Sequence, residues 1–291
     1  MKGEEYMEKK EESIEFLYHY TSLENLALIL KNKTIKFNNL LYVDDMEEAE
    51  TEDMGLFGRF VYVSCWTMDS EESIPMWNLY TPNMRGVRIK LPVNPFKKYH
   101  FNKGEFYFME NVDTYIDIQK LYVENKANIV TTEPHLVKVK YTEKHHKLFP
   151  KVRIESYDGA VNDFLRARSL DELSKNNIEV KYSFEDVGRY KRKQWKFQKE
   201  WRYIINVSPM GLKEIASSSF ETQQEMIRRI ENRNLEPPYK QIFLNLDDIV
   251  LENMEVMFGP KMSISDKVMA EALLEKFCPK GVYKDSNLKI R

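Results

Sequence analysis

Glycine is scarce. Ten stand among 291 residues, about half the usual share of ~7%, and none falls into the G-x-x-x-x-G-K-[ST] or G-x-G-x-x-G order. A P-loop and a Rossmann-type dinucleotide fingerprint are therefore excluded. Cysteine is scarcer still. Cys65 and Cys278 cannot build a disulfide framework or a four-thiolate zinc site, and their apolar flanks read as buried, reduced thiols. The five histidines (His19, His100, His135, His145 and His146) are scattered, and H-E-x-x-H, G-x-S-x-G and C-x-x-C are all missing. No metal site is predicted. No apolar run approaches the ~18 residues that span a membrane. Met1–Glu15 holds six Glu and three Lys and lacks the apolar core of a signal peptide. The expected setting is the cytoplasm, with no membrane partner. An excess of one charge is also lacking: 44 Lys and Arg against 46 Asp and Glu leave a net −2, which excludes a bulk polycation.

What is present supports a real core. Hydrophobic residues make up 42%, with 16 Phe, 17 Tyr and 4 Trp. Ile14–Tyr20, Thr34–Phe37, Phe60–Trp66, Gly86–Leu91, Trp201–Val207, Ile242–Leu246 and Val256–Phe258 read as strands. Helices are predicted after Thr21 or Ser22, with Glu24 placed for a capping box, around Pro75–Tyr80 and over Ser265–Phe277. In the weaker middle, strands are expected at Tyr107–Val112 and Leu136–Tyr141, and a helix at Val112–Asn125. Residues 157–176 and Phe220–Asn232 show helical spacing, 184–197 reads as a basic helix, and Leu288–Ile290 as strand-like. Strands and helices mix without regular alternation. The fold class is α+β: a mixed sheet with peripheral helices. Residues 1–13 form a charged lead-in, and 14–291 a single domain with a variable middle at about 97–180.

Three stretches place polar residues where the pattern expects core. Tyr18-His19-Tyr20-Thr21 ends a strand at a helix start, where ring nitrogens and backbone donors can meet a ligand; a His bonded to nearby backbone is the other reading. Trp77 and Tyr80 lie three apart on one helix face, as a stacking wall or as ordinary core. Glu200 and Arg202 share one strand face, with Glu200 either a positioned base or stabiliser or half of an ion pair with Arg202 or Arg88. Charge is patterned too. Residues 44–53 hold seven acids and no base, a solvated run that lacks calcium-loop order. Residues 181–202 hold eight bases and three acids. Interleaved Tyr190, Trp195 and Phe197 give this segment the composition of a phosphate or nucleic-acid contact, with Lys191, Arg192 and Lys193 at its centre; a solvated helix fits it as well.

Taken in order, these pieces resemble a known family. His19-Tyr20-Thr21, an acidic segment, Ser64-Cys65-Trp66, Met76-Trp77-x-x-Tyr80, Gly86-Val87-x-Ile89, Lys199-Glu200-Trp201-Arg202 and Phe258-Gly259-Pro260 are similar to domain-of-unknown-function family 2971, a group of uncharacterised bacterial proteins. The family's Asn-Asp-Pro-x-Glu becomes Asp44-Asp45-Met46-Glu47-Glu48, which keeps Asp45 and Glu48. More distantly, the order His, Tyr, Glu resembles the His-Tyr-Glu class of ADP-ribosyltransferases, including DarT-like enzymes. That resemblance implies a sheet split in the manner of those enzymes and NAD as a substrate. His19, with Tyr20 and Thr21, would contact the nicotinamide ribose. Tyr80 or Trp77 would stack on nicotinamide, Arg88 or Arg202 would meet pyrophosphate, and Glu200 would be catalytic. It also implies a nucleic-acid or protein acceptor, and a toxin or phage-defence role. The rival is a non-catalytic module that binds nucleic acid or a phosphorylated ligand through 181–202. A third reading is a metal-dependent nuclease using Asp44, Asp45 and Glu200.

Overall fold

The computed structural model describes residues 15–157, 178–216 and 219–291. The lead-in over 1–13 and the helical spacing read past Tyr157 lie outside the described residues. The class is α+β. The strands are β1 (Phe16–Thr21), β2 (Thr34–Asn39), β3 (Val61–Thr67), β4 (Val87–Pro92), β5 (Tyr99–Phe101), β6 (Val112–Thr114), β7 (Asn128–Ile129), β8 (His135–Lys138), β9 (Lys140–Tyr141), β10 (Arg153–Tyr157), β11 (Ile178–Tyr182), β12 (Tyr190–Lys191), β13 (Glu200–Ser208), β14 (Gln241–Asn245), β15 (Glu255–Phe258) and β16 (Val282–Asp285). The chain groups into two compact units, each assembled from separated stretches.

The first unit takes the chain up to Lys31, then Trp66–Pro95 and Asp248–Arg291. In it β1 pairs antiparallel with β4, β4 antiparallel with β15, and β15 parallel with β16. Tyr18 stands opposite Lys90 and Tyr20 opposite Arg88. Glu255 stands opposite Lys90 and Met257 opposite Arg88, and Lys284 lies beside Met257. Strand side chains alternate, so these residues share one face of the sheet. Leu17, Ile89 and Val256 take the other and are buried there, each contributing roughly 1.5–3 kcal/mol. Ser22, not Thr21, caps the helix Leu23–Asn32 by accepting from Asn25 N at 3.2 Å; Thr21 stays in β1, so the box with Glu24 is not what starts this helix. Ser73 caps Ile74–Tyr80, with Pro75 in the first turn. A capping box between Ser263 and Asp266 starts Ile264–Phe277. Gly86 lets β4 begin against β1: a Cβ there would lie 2.2 Å from Thr21 O.

The second unit takes Asn32–Cys65 and Phe96–Asp247. β14, β2 and β3 pair antiparallel, and β13 pairs antiparallel with β7 and β8. Leu40, Phe57, Phe60, Val63, Val152 and Ile204 pack its core. The Arg59 guanidinium, fully buried, donates to Ile230 O, Asn232 O and Arg233 O and so satisfies carbonyls at the end of the helix Phe220–Glu231.

Several elements differ from the sequence reading. The expected basic helix at 184–197 is instead β12, paired with β9, and a 3-10 turn over Lys193–Gln198. Gly188 (φ 74) and Lys199 (φ 44) interrupt helical backbone there. The expected strand Tyr107–Val112 starts only at Val112, because Phe106 and Tyr107 have φ of 45 and 69. The helix expected from Val112 is confined to Ile118–Glu124, capped by Asp117. The final strand is Val282–Asp285, and Leu288–Ile290 adds none.

Candidate functional site

The shared face of the first unit's sheet carries a pocket of about 200 Å³ lined by Tyr18, Ser70, Arg88, Lys90, Glu255 and Lys284. Met257 and Val282 add apolar surface. Arg88 is its most constrained member. It is 4% exposed. Its Nη1 donates to Ser70 O at 3.0 Å, Glu71 O at 3.2 Å and the Tyr20 hydroxyl at 3.4 Å. Its guanidinium lies 4.7 Å from the Tyr18 ring centroid, a cation–π arrangement. Among the described residues no carboxylate forms a salt bridge with Arg88. Lys90 is held by Glu255 at 2.7 Å. Three cations therefore meet one carboxylate around this pocket.

Four of the residues singled out in the sequence come together here. Tyr20 packs edge-on against Trp77 with centroids 4.8 Å apart, Tyr80 packs against the cluster these two form with Met76 and Met257, and Tyr20 is hydrogen-bonded to Arg88. Trp77 is fully buried, and its Nε1 donates to Glu72 Oε1 at 3.2 Å. Glu72 also accepts from Ser286 Oγ and Asn287 N. Trp77 is thus spent on packing; Tyr80, half-buried, keeps some ring surface. Strand alternation puts His19 on the opposite face from Tyr18 and Tyr20, where it packs on Trp66 at 5.0 Å. Thr21 is buried.

The remaining candidates belong to the second unit. Glu200 Oε1 accepts from Arg202 Nε at 2.8 Å and Nη2 at 2.5 Å, and its Oε2 accepts from Lys191 Nζ at 2.8 Å. Arg202 Nη1 donates to Glu48 Oε2 at 2.5 Å and Gly188 O at 2.8 Å. Lys191 also reaches Gln198 Oε1 at 3.0 Å and Glu48 Oε1 at 3.1 Å. All four charged residues are buried. Burial pushes the Glu200 carboxyl up, but Arg202 and Lys191 outweigh it and hold it well below the ordinary carboxylate range. Burial works against the charge on Lys191 and Arg202 too, and Glu200 and Glu48 raise both above their ordinary values. Burial and the Glu200 charge push the Cys65 thiol up.

This arrangement reassigns several sequence expectations. Glu48 is not part of a solvated acidic run; it is a buried counter-ion. Lys191 is closed off from solvent, and Arg192 is engaged by Glu47, at 2.9 Å for Nη2–Oε1, and by Glu143. Arg192 keeps about a third of its side chain exposed (36%) beside these acids, and Lys193 is exposed. Among the described residues no group of three His, Cys, Asp or Glu side chains is placed to hold a metal ion, and no helix is long and apolar enough to cross a membrane. Sequence reasoning missed Lys90, Glu255 and Lys284, and gave Tyr18 no role beyond its place in the first stretch. A Tyr and a Lys on alternating strands were visible, but their convergence with β15 and β16 had no local signal.

Residues 76–203 match the model of a family described as protein of unknown function (DUF2971). Neither a curated protein nor a solved structure matches the chain. The matched stretch holds Arg88 and the whole of the Lys199-Glu200-Trp201-Arg202 sequence.

Proposed function

We propose that this DUF2971-matching chain binds a phosphate-bearing nucleotide, with NAD as the first candidate, at the Arg88 pocket of its first unit. One observation carries the reading: a buried guanidinium with neutral partners and, among the described residues, no salt bridge to a carboxylate. Removing an ion from water costs several kcal/mol, and neutral dipoles return part of it. An anion entering the pocket supplies the missing counter-charge. Arginine suits phosphate because its planar fork donates two parallel hydrogen bonds. Lys90 and Lys284 add positive charge, Glu255 limits it, and a group with about two negative charges balances the set. The volume is below the roughly 300–1,000 Å³ that takes a whole drug-sized ligand. The pocket therefore takes the phosphate end, and the rest of the nucleotide lies outside it.

The catalytic extension of this reading is ADP-ribosyl transfer or NAD hydrolysis, a step that needs a carboxylate aimed at the positive charge that develops as the bond to nicotinamide breaks. A toxin or phage-defence role belongs to that extension alone. The geometry favours binding over catalysis, because both Glu200 oxygens are taken up by Arg202 and Lys191. Titration with NAD, ADP-ribose, ATP and pyrophosphate, read by melting temperature and calorimetry, tests the proposal. Binding is expected, with Arg88→Met weakening it at least about tenfold, or 1.4 kcal/mol. No shift with any of the four at millimolar concentration overturns the reading. An NAD-consumption assay on the wild-type protein decides the catalytic extension separately.

A further inference from the structure

The second unit has a face that the buried ion cluster does not use. Alternation along β13 turns Glu200 and Arg202 inward and Trp201 the other way, and Lys199, just before the strand, is exposed. Across the ladder Val139 is buried while Lys138 and Lys140 are exposed. Trp201 sits opposite Lys138, whose Nζ lies 5.9 Å from the indole centroid. The turn Lys193–Gln198 adds exposed Lys193 and Lys196, and Phe197 at 39% exposure. Trp195 lies 6.3 Å from the Phe197 ring. Among the described residues, Lys138, Lys140, Lys193 and Lys196 make no salt bridge to a carboxylate. Glu143, an acid beside them, is taken up by Arg192 and by the Lys193 backbone N–H.

We propose that this face binds single-stranded nucleic acid. The exposed lysines meet a ligand with regularly repeated charge, and each phosphate contact releases condensed counter-ions. The exposed aromatic edge adds a second requirement. Base stacking on a ring needs a base whose face is free, which a single strand offers and a duplex hides. Phe197, flanked by Lys196 and Lys199, places a ring among cations in that way. The segment's composition points to Lys191, Arg192 and Lys193; the geometry keeps Lys193 exposed, buries Lys191, engages Arg192 with Glu47 and Glu143, and adds lysines from β8, β9 and the turn.

The test is fluorescence anisotropy of the full chain with labelled oligo-dT and oligo-U of about 20 nucleotides and with a matched duplex, at roughly 50 and 200 mM salt. Binding to either single strand is expected, with log K falling by about 0.7 per phosphate contact for each decade of salt. Lys140→Glu, Lys193→Glu and Lys196→Glu together reduce affinity at least about tenfold at low salt. Phe197→Ala reduces it severalfold without changing the salt slope, because the ring carries no charge. If the triple variant melts early, Lys196→Glu alone and Phe197→Ala, both at exposed positions, carry the decision. No binding at low salt overturns the proposal, as does wild-type affinity in the reversed-charge variants. Equal affinity for duplex, or an inert Phe197→Ala, overturns it as well, by showing non-specific polyanion adhesion. The Arg88 pocket lies in the other unit and is tested with mononucleotides, so failure of one reading leaves the other standing.

Discussion

Glu200 contributes chiefly as a partner in a buried network. Burying its charge is costly, and Arg202 and Lys191 offset that cost only while both carboxylate oxygens are engaged. Glu200→Gln leaves two cations facing Glu48 alone, and is expected to destabilise the fold by about 3–5 kcal/mol in urea unfolding. The pH dependence has a definite sign. Glu200 titrates lower when folded, at about 2, than the unfolded value of ~4.3. Its stabilisation is therefore complete above the unfolded value and disappears as pH falls toward the folded one. The stability gap between wild type and Glu200→Gln is expected to narrow below about pH 4; a gap that stays constant contradicts the network. Part of this was legible. Period two put Glu200 and Arg202 on one face, and the family pattern kept Asp45 and Glu48, the two acids of the 44–53 run that are buried. The pairing of Glu48 with Arg202 was not legible, because partners 154 residues apart leave no local trace.

Among the elements, β1 and β4 set up the pocket, and Gly86 sets their closeness. An added methyl there meets Thr21 O at 2.2 Å and Thr81 Cβ at 2.7 Å. Gly86→Ala is expected to cost about 1–3 kcal/mol through overpacking, measured by chemical unfolding, and to weaken ligand binding by shifting Arg88 against Tyr20. β1, β3, β4 and β13 were readable because aromatic and β-branched runs favour pleated, half-buried surfaces. The segment 184–197 misled because a basic, aromatic composition suits a helix face equally well. There the left-handed backbone at Gly188 and the pairing with β9 prevail over propensity.

At the level of the whole molecule, neither unit is continuous in sequence. Residues 248–291 complete a sheet begun at Phe16, and Glu255 meets Lys90 across 165 residues. Contacts of such long range slow folding, because loop closure must precede the contact. Refolding followed by stopped flow is expected on the millisecond-to-second scale or slower; a microsecond phase that recovers full signal contradicts this topology. The net charge of −2 is a separation rather than neutrality. Acids of the 44–53 run neutralise Lys191, Arg192 and Arg202, and among the described residues Lys193 and Lys196 of the same segment make no salt bridge.

The placement of the tryptophans makes the protein its own optical reporter. Trp66 and Trp77 lie in the first unit, Trp195 and Trp201 in the second. Trp77 packs against Tyr20, which shares a hydrogen bond with Arg88; Trp201 stands beside Lys138, and Trp195 lies in the turn that carries Lys193 and Lys196. Replacing Trp195 and Trp201 with Phe leaves emission that answers to the nucleotide pocket, and replacing Trp66 and Trp77 leaves emission that a bound strand quenches. Occupancy of each unit can thus be read separately, without a label.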